Sequence, residues 1–271
     1  MTDDSLRNRP IGIFDSGMGG LTVLREVISR LPYENVVYLG DTARVPYGIR
    51  SQSTVVRYSD QNADFLIGEG IKALVVACNT VSAVGIEQLK NRLSIPVIGV
   101  LEPGALKATK TTRTGKIGVI GTEATINSGA YQRVLKDMYH DVFVVAKACP
   151  LFVPLVEEGW TDGKITKDVI RKYLKSFKRH RIDTLVLGCT HYPLLKSSIS
   201  KYMGDDVKLV DSAIETAKVT KRVLKTEGIL KTDTNKGKRS FYVTDSPDRF
   251  KEVGEMFLDK DINDIRLIDI R

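Results

Sequence analysis

Two short apolar runs each occur twice in this chain, in the same order and at nearly the same spacing. Ile11-Gly12-Ile13-Phe14-Asp15-Ser16 is echoed by Ile117-Gly118-Val119-Ile120-Gly121-Thr122, and Ile71-Lys72-Ala73-Leu74-Val75-Val76-Ala77-Cys78-Asn79-Thr80 by Ile182-Asp183-Thr184-Leu185-Val186-Leu187-Gly188-Cys189-Thr190-His191. Gly12 and Gly118 stand 106 positions apart, and Cys78 and Cys189 stand 111 apart. One short match is what chance supplies. Two in register argue for duplicated halves, each with its own set of strands.

The runs themselves set the class. Candidate strands are Ile11–Phe14, Val36–Leu39, Ala73–Ala77, Val97–Val100, Lys116–Ile120, Val142–Ala146, Thr184–Gly188 and Val207–Val210. They are rich in Val, Ile and Leu without strict alternation, as parallel strands covered on both faces are. Amphipathic stretches fall between them, among them Leu21–Arg30, Val55–Gly68, Asn127–Met138 and Thr166–Lys178. Strand and helix in alternation make an α/β protein. The expected fold is two similar, pseudo-symmetric α/β domains with parallel sheets and a site in the cleft between them. Residues 1–100 form the first domain and 101–211 the second, with a linker near Leu101–Gly115 where Pro103 and Gly104 interrupt the pattern. A helix (Ala213–Thr226), a strand (Phe241–Thr244) and a helix (Pro247–Leu258) make 212–271 a returning segment that completes the first domain.

In both repeats the cysteine ends the apolar run, at the strand edge where open parallel sheets bind their ligands. Polar residues follow each: Asn79-Thr80 in one half, Thr190-His191 in the other. They are suited to capping a helix or holding an anion, and a helix N-terminus favours a thiolate. A lone cysteine at a strand end is ordinarily a small buried residue. A matched pair with polar neighbours is not so easily set aside. With only three cysteines, in an expected reducing compartment, a disulfide framework is disfavoured. Zinc held by Cys78, Cys189 and His191 lacks the usual ligand spacing. A single nucleophile beside His191 leaves the second cysteine without a task. Inversion of a carbon centre uses both, since one group removes a proton from one face while the other delivers one to the opposite face.

Phe14-Asp15-Ser16-Gly17-Met18-Gly19-Gly20, Gly40-Asp41-Thr42-Ala43-Arg44-Val45-Pro46-Tyr47-Gly48, Ala77-Cys78-Asn79-Thr80 and Gly188-Cys189-Thr190-His191-Tyr192-Pro193 closely resemble the glutamate racemase family, in order from about Ile11 to Asp211. The resemblance implies two α/β domains with the active site between them, no pyridoxal phosphate, metal or nucleotide, and a role supplying D-glutamate for bacterial peptidoglycan. It implies Cys78 as the base for D-glutamate and Cys189 for L-glutamate, with Asp15, His191 and Glu157 assisting. It assigns substrate binding to Asp15, Ser16, Tyr47, Gly48, Asn79, Thr80, Thr190 and His191. A capping Asp, a core His and a solvated helix carboxylate are the plainer readings of Asp15, His191 and Glu157. The glycines of Gly17–Gly20 lack a nucleotide-binding pattern and are expected to let backbone approach the amino acid.

The formal charge of +8 is spread over helix faces and Lys231–Arg239 without interleaved aromatics, so no nucleic-acid partner is required. No apolar run reaches membrane-spanning length. Met1–Pro10 is polar, without the apolar core of a secretory signal, and a cytoplasmic location is expected. Glutamate is the expected partner. A homodimer is a common state for a two-lobed protein of this size, though no residue pattern marks an interface. Cys149 and Trp160 read as packing, and His140 and His180 as surface. Two rivals stand: racemisation of another small acid such as aspartate, and a non-catalytic protein that clamps a ligand between its lobes.

Overall fold

The structure, a computed structural model, describes residues 3–270; Met1 and Thr2, which begin the polar leading stretch, and Arg271 lie outside the described residues. Two separate parallel sheets form. The first holds β1 (Ile11–Asp15), β2 (Val36–Gly40), β3 (Ala73–Val76) and β4 (Val97–Gly99), ordered β2-β1-β3-β4. The second holds β5 (Lys116–Gly121), β6 (Phe143–Ala148), β7 (Thr184–Gly188) and β8 (Lys208–Asp211), ordered β6-β5-β7-β8. The sequence repeat has become one topology built twice. Strands β1, β2, β3 and β7 are buried along their whole length, which explains their unbroken apolar character.

The sheets differ in width. β9 (Arg239–Val243) pairs with β2, and β10 (Ile265–Leu267) pairs with β9, so the first sheet has six strands and the second four. A buried ion pair fastens this returning segment. Lys72 Nζ lies 2.5 Å from Glu34 Oε2 and also donates to the carbonyls of Arg7 and Ile229, while Glu34 Oε1 accepts from the Lys231 amide. Burial pulls the Lys72 ammonium down from its ordinary value, and the bond to Glu34 opposes that pull.

Several local expectations are corrected. Leu101–Thr111 is a helix, not a linker. Pro103 falls in its first turn, where a missing N–H breaks no helical bond. Gly104 lets that helix approach Ser212, since a Cβ there would lie 3.1 Å from the Ser212 Cβ. The stretch 127–138 is not one helix. It divides into Glu123–Asn127 and Ala130–Met138 around Gly129, whose φ of +67° is left-handed. Strand β6 runs two residues further than its apolar core, to Ala148. Trp160 is 52% exposed and packs no core.

Candidate active site

Equivalent strand ends from the two sheets meet around one cavity of ≈ 140 Å³. That is close to the ~150 Å³ of an engineered cavity that holds a single benzene ring, so the occupant must be small. Cys78 enters from beyond β3 and Cys189 from the end of β7, and both line the space. Ser16, Tyr47, Gly48, Asn79, Thr80, Thr190 and His191 line it too. Sequence reading missed the remaining wall, formed by Val45, Pro46, Ile49, Thr122, Glu123, Pro150, Val153 and Pro154. Thr122 carried a usable signal, for it occupies the repeat position of Ser16. Val45 and Pro46 stood inside the Gly40–Gly48 motif, while Ile49, Val153 and Pro154 carried no signal.

The surroundings of the two thiols are unlike. Cys78 precedes the helix Asn79–Val84 and is 5% exposed. Its sulfur lies 3.8 Å from Ser16 Oγ. Burial pushes this thiol up to about 12, and the nearby Asp15 charge adds to the rise; the Val81 amide and Ser16 only partly offset it. The expected gain from the helix N-terminus is therefore outweighed. Asp15, fully buried at the end of β1, accepts from the Gly17 amide at 3.1 Å. Burial raises its carboxyl, while the His191 charge and the amides of Gly20, Gly17 and Ser16 hold it down. Its Oδ1 has no protein partner.

On the opposite wall, Cys189 Sγ lies 3.9 Å from His191 Nδ1, and His191 Nε2 lies 3.0 Å from Glu157 Oε1. Burial works against the imidazolium. Hydrogen bonds and charge from Cys189 and Glu157 prevail, bringing His191 to about 10. Burial raises Glu157, but the bond to His191, its charge and that of Arg249 carry the carboxylate below its ordinary value. Phe257 of the returning segment meets the imidazole edge-on, with ring centroids 5.2 Å apart. Glu157 does not line the cavity; it reaches it through His191.

Other expected residues also hold contacts within the protein. The Tyr47 hydroxyl donates to Asp41 and accepts from Asn62, which fixes the ring in the cavity wall. Asn79 Oδ1 accepts from Tyr131, leaving Nδ2 a buried donor without a protein acceptor. Gly19 and Gly20 admit close approach of neighbouring protein atoms. A Cβ on Gly19 would strike Thr190 and His191, and one on Gly20 would lie 2.5 Å from the Asp15 Cβ. Gly48 likewise meets Thr122, with a Cβ placed 2.7 Å from the Thr122 Cβ.

These close approaches belong to a seam across the cleft. Thr80 Oγ1 lies 3.0 Å from Thr122 Oγ1 and 3.4 Å from Thr125 Oγ1, and Thr22 donates to the Thr190 carbonyl. All three cysteines are free, and among the described residues no group of three or more His, Cys, Asp or Glu is placed to hold a metal ion. Cys149 is buried, and its carbonyl accepts from Tyr192; His140 and His180 are exposed. Among the described residues no helix is long and apolar enough to cross a membrane.

Residues 18–220 match the Asp/Glu/Hydantoin racemase family. A glutamate racemase of Geobacter metallireducens is 52% identical over 262 residues, covering 97% of each chain. A crystal structure of a glutamate racemase isoform from Bacillus anthracis superposes with a TM-score of 0.94 at 42% identity, over 97% of this chain and 98% of that one. A glutamate racemase from Francisella tularensis, solved in complex with D-glutamate, gives 0.91 at 40% identity over the same shares.

Proposed function

The chain belongs to the Asp/Glu/Hydantoin racemase family, with glutamate racemases as its relatives, and on that footing we propose that it interconverts L- and D-glutamate by two-base proton transfer between Cys78 and Cys189. The observation that carries this reading is that two thiols from equivalent strand ends of separate sheets line one small cavity. In one direction the Cys78 thiolate removes the α-proton of D-glutamate, becoming a thiol and leaving a carbanion. The Cys189 thiol protonates that carbanion from the other face and becomes the thiolate. The reverse direction exchanges the roles.

An amino-acid α-proton is very weakly acidic, so the base must be strong once ionised. The burial that lifts the Cys78 thiol to about 12 reduces the resting thiolate but strengthens it as a base. The substrate ammonium brings a positive charge that favours ionisation of Cys78, with the Asp15 carboxyl buried behind the cavity wall. On the other wall the His191 imidazolium, held by Glu157, stabilises negative charge on Cys189. The unpartnered Asn79 Nδ2, with the hydroxyls of Ser16, Thr80 and Thr190, supplies donors for the carboxylates.

The lobes that close on substrate are taken as 1–100 with 212–271 on one side and 101–211 on the other. The proposed setting is the cytoplasm, as a homodimer supplying D-glutamate for peptidoglycan. The mechanism is tested by incubating L-glutamate with the protein in deuterated water without cofactor. The expected product is D-glutamate carrying deuterium at the α-carbon; a product that retains protium there would exclude two-base inversion. Complementation of a D-glutamate auxotroph tests the biological role, and light scattering tests the dimer.

A further inference from the structure

Asp41 and Arg44 do not line the cavity, yet the residues that follow them, Val45, Pro46, Tyr47 and Gly48, all do. This wall segment belongs to no strand, and its start is held by few backbone bonds. The Asp41 amide donates to the Asp15 carbonyl and the Arg44 amide to the Asp41 carbonyl. Side chains supply the rest.

The Arg44 guanidinium is the centre of that hold. Its Nε lies 2.7 Å from Asp41 Oδ2 and 2.9 Å from Oδ1. Nη1 donates to Gln61 Oε1 at 2.6 Å, and Nη2 to Asn62 Oδ1 at 2.9 Å. Gln61 and Asn62 belong to the helix Gln52–Gly68, so one side chain ties the segment to a regular element. Asn62 Nδ2 donates in turn to the Tyr47 hydroxyl at 3.1 Å, and that hydroxyl donates to Asp41, which closes a ring of hydrogen bonds. The guanidinium also lies 4.3 Å from the centroid of the Tyr58 ring, and Tyr58 packs on Tyr47 with centroids 5.5 Å apart. Arg44 thus reaches Tyr47 twice, through the hydroxyl and through the ring. Thr244 of the returning segment completes the anchorage, donating to Asp41 Oδ1 at 3.0 Å and accepting from the Ala43 amide at 2.9 Å. Asp41, Tyr47 and Asn62 are buried, so a missing member would leave polar atoms unpaired away from water.

We propose, on the reading that the cavity takes glutamate, that Arg44 is a positioning residue: it holds Val45–Gly48 in place as a wall of the cavity and so governs substrate binding rather than proton transfer. Lysine is no equivalent, because an ammonium can pair with Asp41 but lacks the planar fork that spans Gln61 and Asn62 together. The test is initial-rate racemisation of both enantiomers by Arg44→Lys. KM should rise about ten-fold for L- and D-glutamate alike, with kcat within about three-fold of the parent value. Gln61→Ala, at a half-buried position, removes one acceptor from the fork and should raise KM about three-fold, so the test does not depend on one variant folding. Arg57→Ala removes an exposed cation 5.4 Å from the same Tyr58 ring and should change neither constant. Fewer folded molecules lower kcat and leave KM alone. A loss confined to kcat, or an unmoved KM in Arg44→Lys, therefore overturns the proposal. Wild-type turnover beside either result removes this role alone, whereas a wild type that does not racemise glutamate removes the reading of the cavity and the role with it.

Discussion

The two halves of the cavity share a topology and a thiol but not an electrostatic environment. Beside Cys78 stands a buried carboxyl, Asp15; the matching repeat position in the second lobe is Gly121, which has no side chain. Beside Cys189 stands His191, backed by Glu157; the matching position in the first lobe is Thr80. The thiols are shared, and the charged side chains beside them, Asp15 on one wall and the His191–Glu157 pair on the other, have no charged counterpart at the matching positions Gly121 and Thr80. This difference cannot tilt the reaction. L- and D-glutamate have equal free energies in water, so kcat/KM must be the same in both directions whatever the walls contain. The asymmetry can appear only in how each direction divides between kcat and KM.

The largest expected effect comes from removing what the lobes share. Cys78→Ala and Cys189→Ala should each lower racemisation by about 10³–10⁴-fold, the upper range for loss of a positioned acid–base group. Each variant should still exchange the α-hydrogen of one enantiomer with solvent, D for Cys189→Ala and L for Cys78→Ala. NMR of recovered substrate checks this, and exchange of the same enantiomer in both variants would reverse the assignment of the walls.

The additional strands of the first lobe provide the next contrast. Lys72→Met leaves Glu34 buried without its cation, and should cost about 3–5 kcal/mol of stability in urea unfolding, as broken buried pairs do. A similar loss in Lys72→Met/Glu34→Leu would show that the pair's charges are not the cause.

Asp15→Asn and His191→Asn sharpen the electrostatic comparison. Each should lower kcat/KM by about 10²-fold, near the lower bound for such groups. The loss must be equal in both directions, with opposite divisions between kcat and KM in the two variants. Initial rates from both enantiomers decide it, and identical divisions would remove the proposed specialisation of the walls.

The smallest change is Glu157→Gln, expected to reduce kcat by about 10-fold, below the range for a direct acid or base. It should also lower the His191 pKa from about 10, read from imidazole NMR shifts in a chain with only three histidines. The sign for stability follows. Because the folded value lies above the ordinary 6.5, the contribution of His191 is complete below pH 6.5 and disappears as pH rises through 10. Glu157→Gln should therefore lose stability most below pH 6.5, and the deficit should shrink toward pH 10.

Much of this arrangement could be read from the residues alone. The repeat implied two equivalent sheets, and the strand-end cysteines implied a site where those sheets meet. The helix Leu101–Thr111 was not legible, because Pro103 and Gly104 are breakers whose effect depends on position, and a first turn tolerates what a middle turn does not. Strand β10 has three residues, two of them exposed, so no apolar pattern announces it. The partners of the Tyr47 hydroxyl were not legible for a different reason. Asp41 and Asn62 lie 6 and 15 positions away, and only the folded chain brings them to it.

Part of the seam between the lobes consists of alcohols, beside an apolar cluster that both lobes share. Thr80, Thr122 and Thr125 face one another through hydroxyls, each able to turn and take water in place of its neighbour. Such bonds hold by only about 1 kcal/mol apiece against solvent. Along that line the wall of the cavity is weak by composition, because water can replace each hydroxyl bond without an apolar contact being broken there.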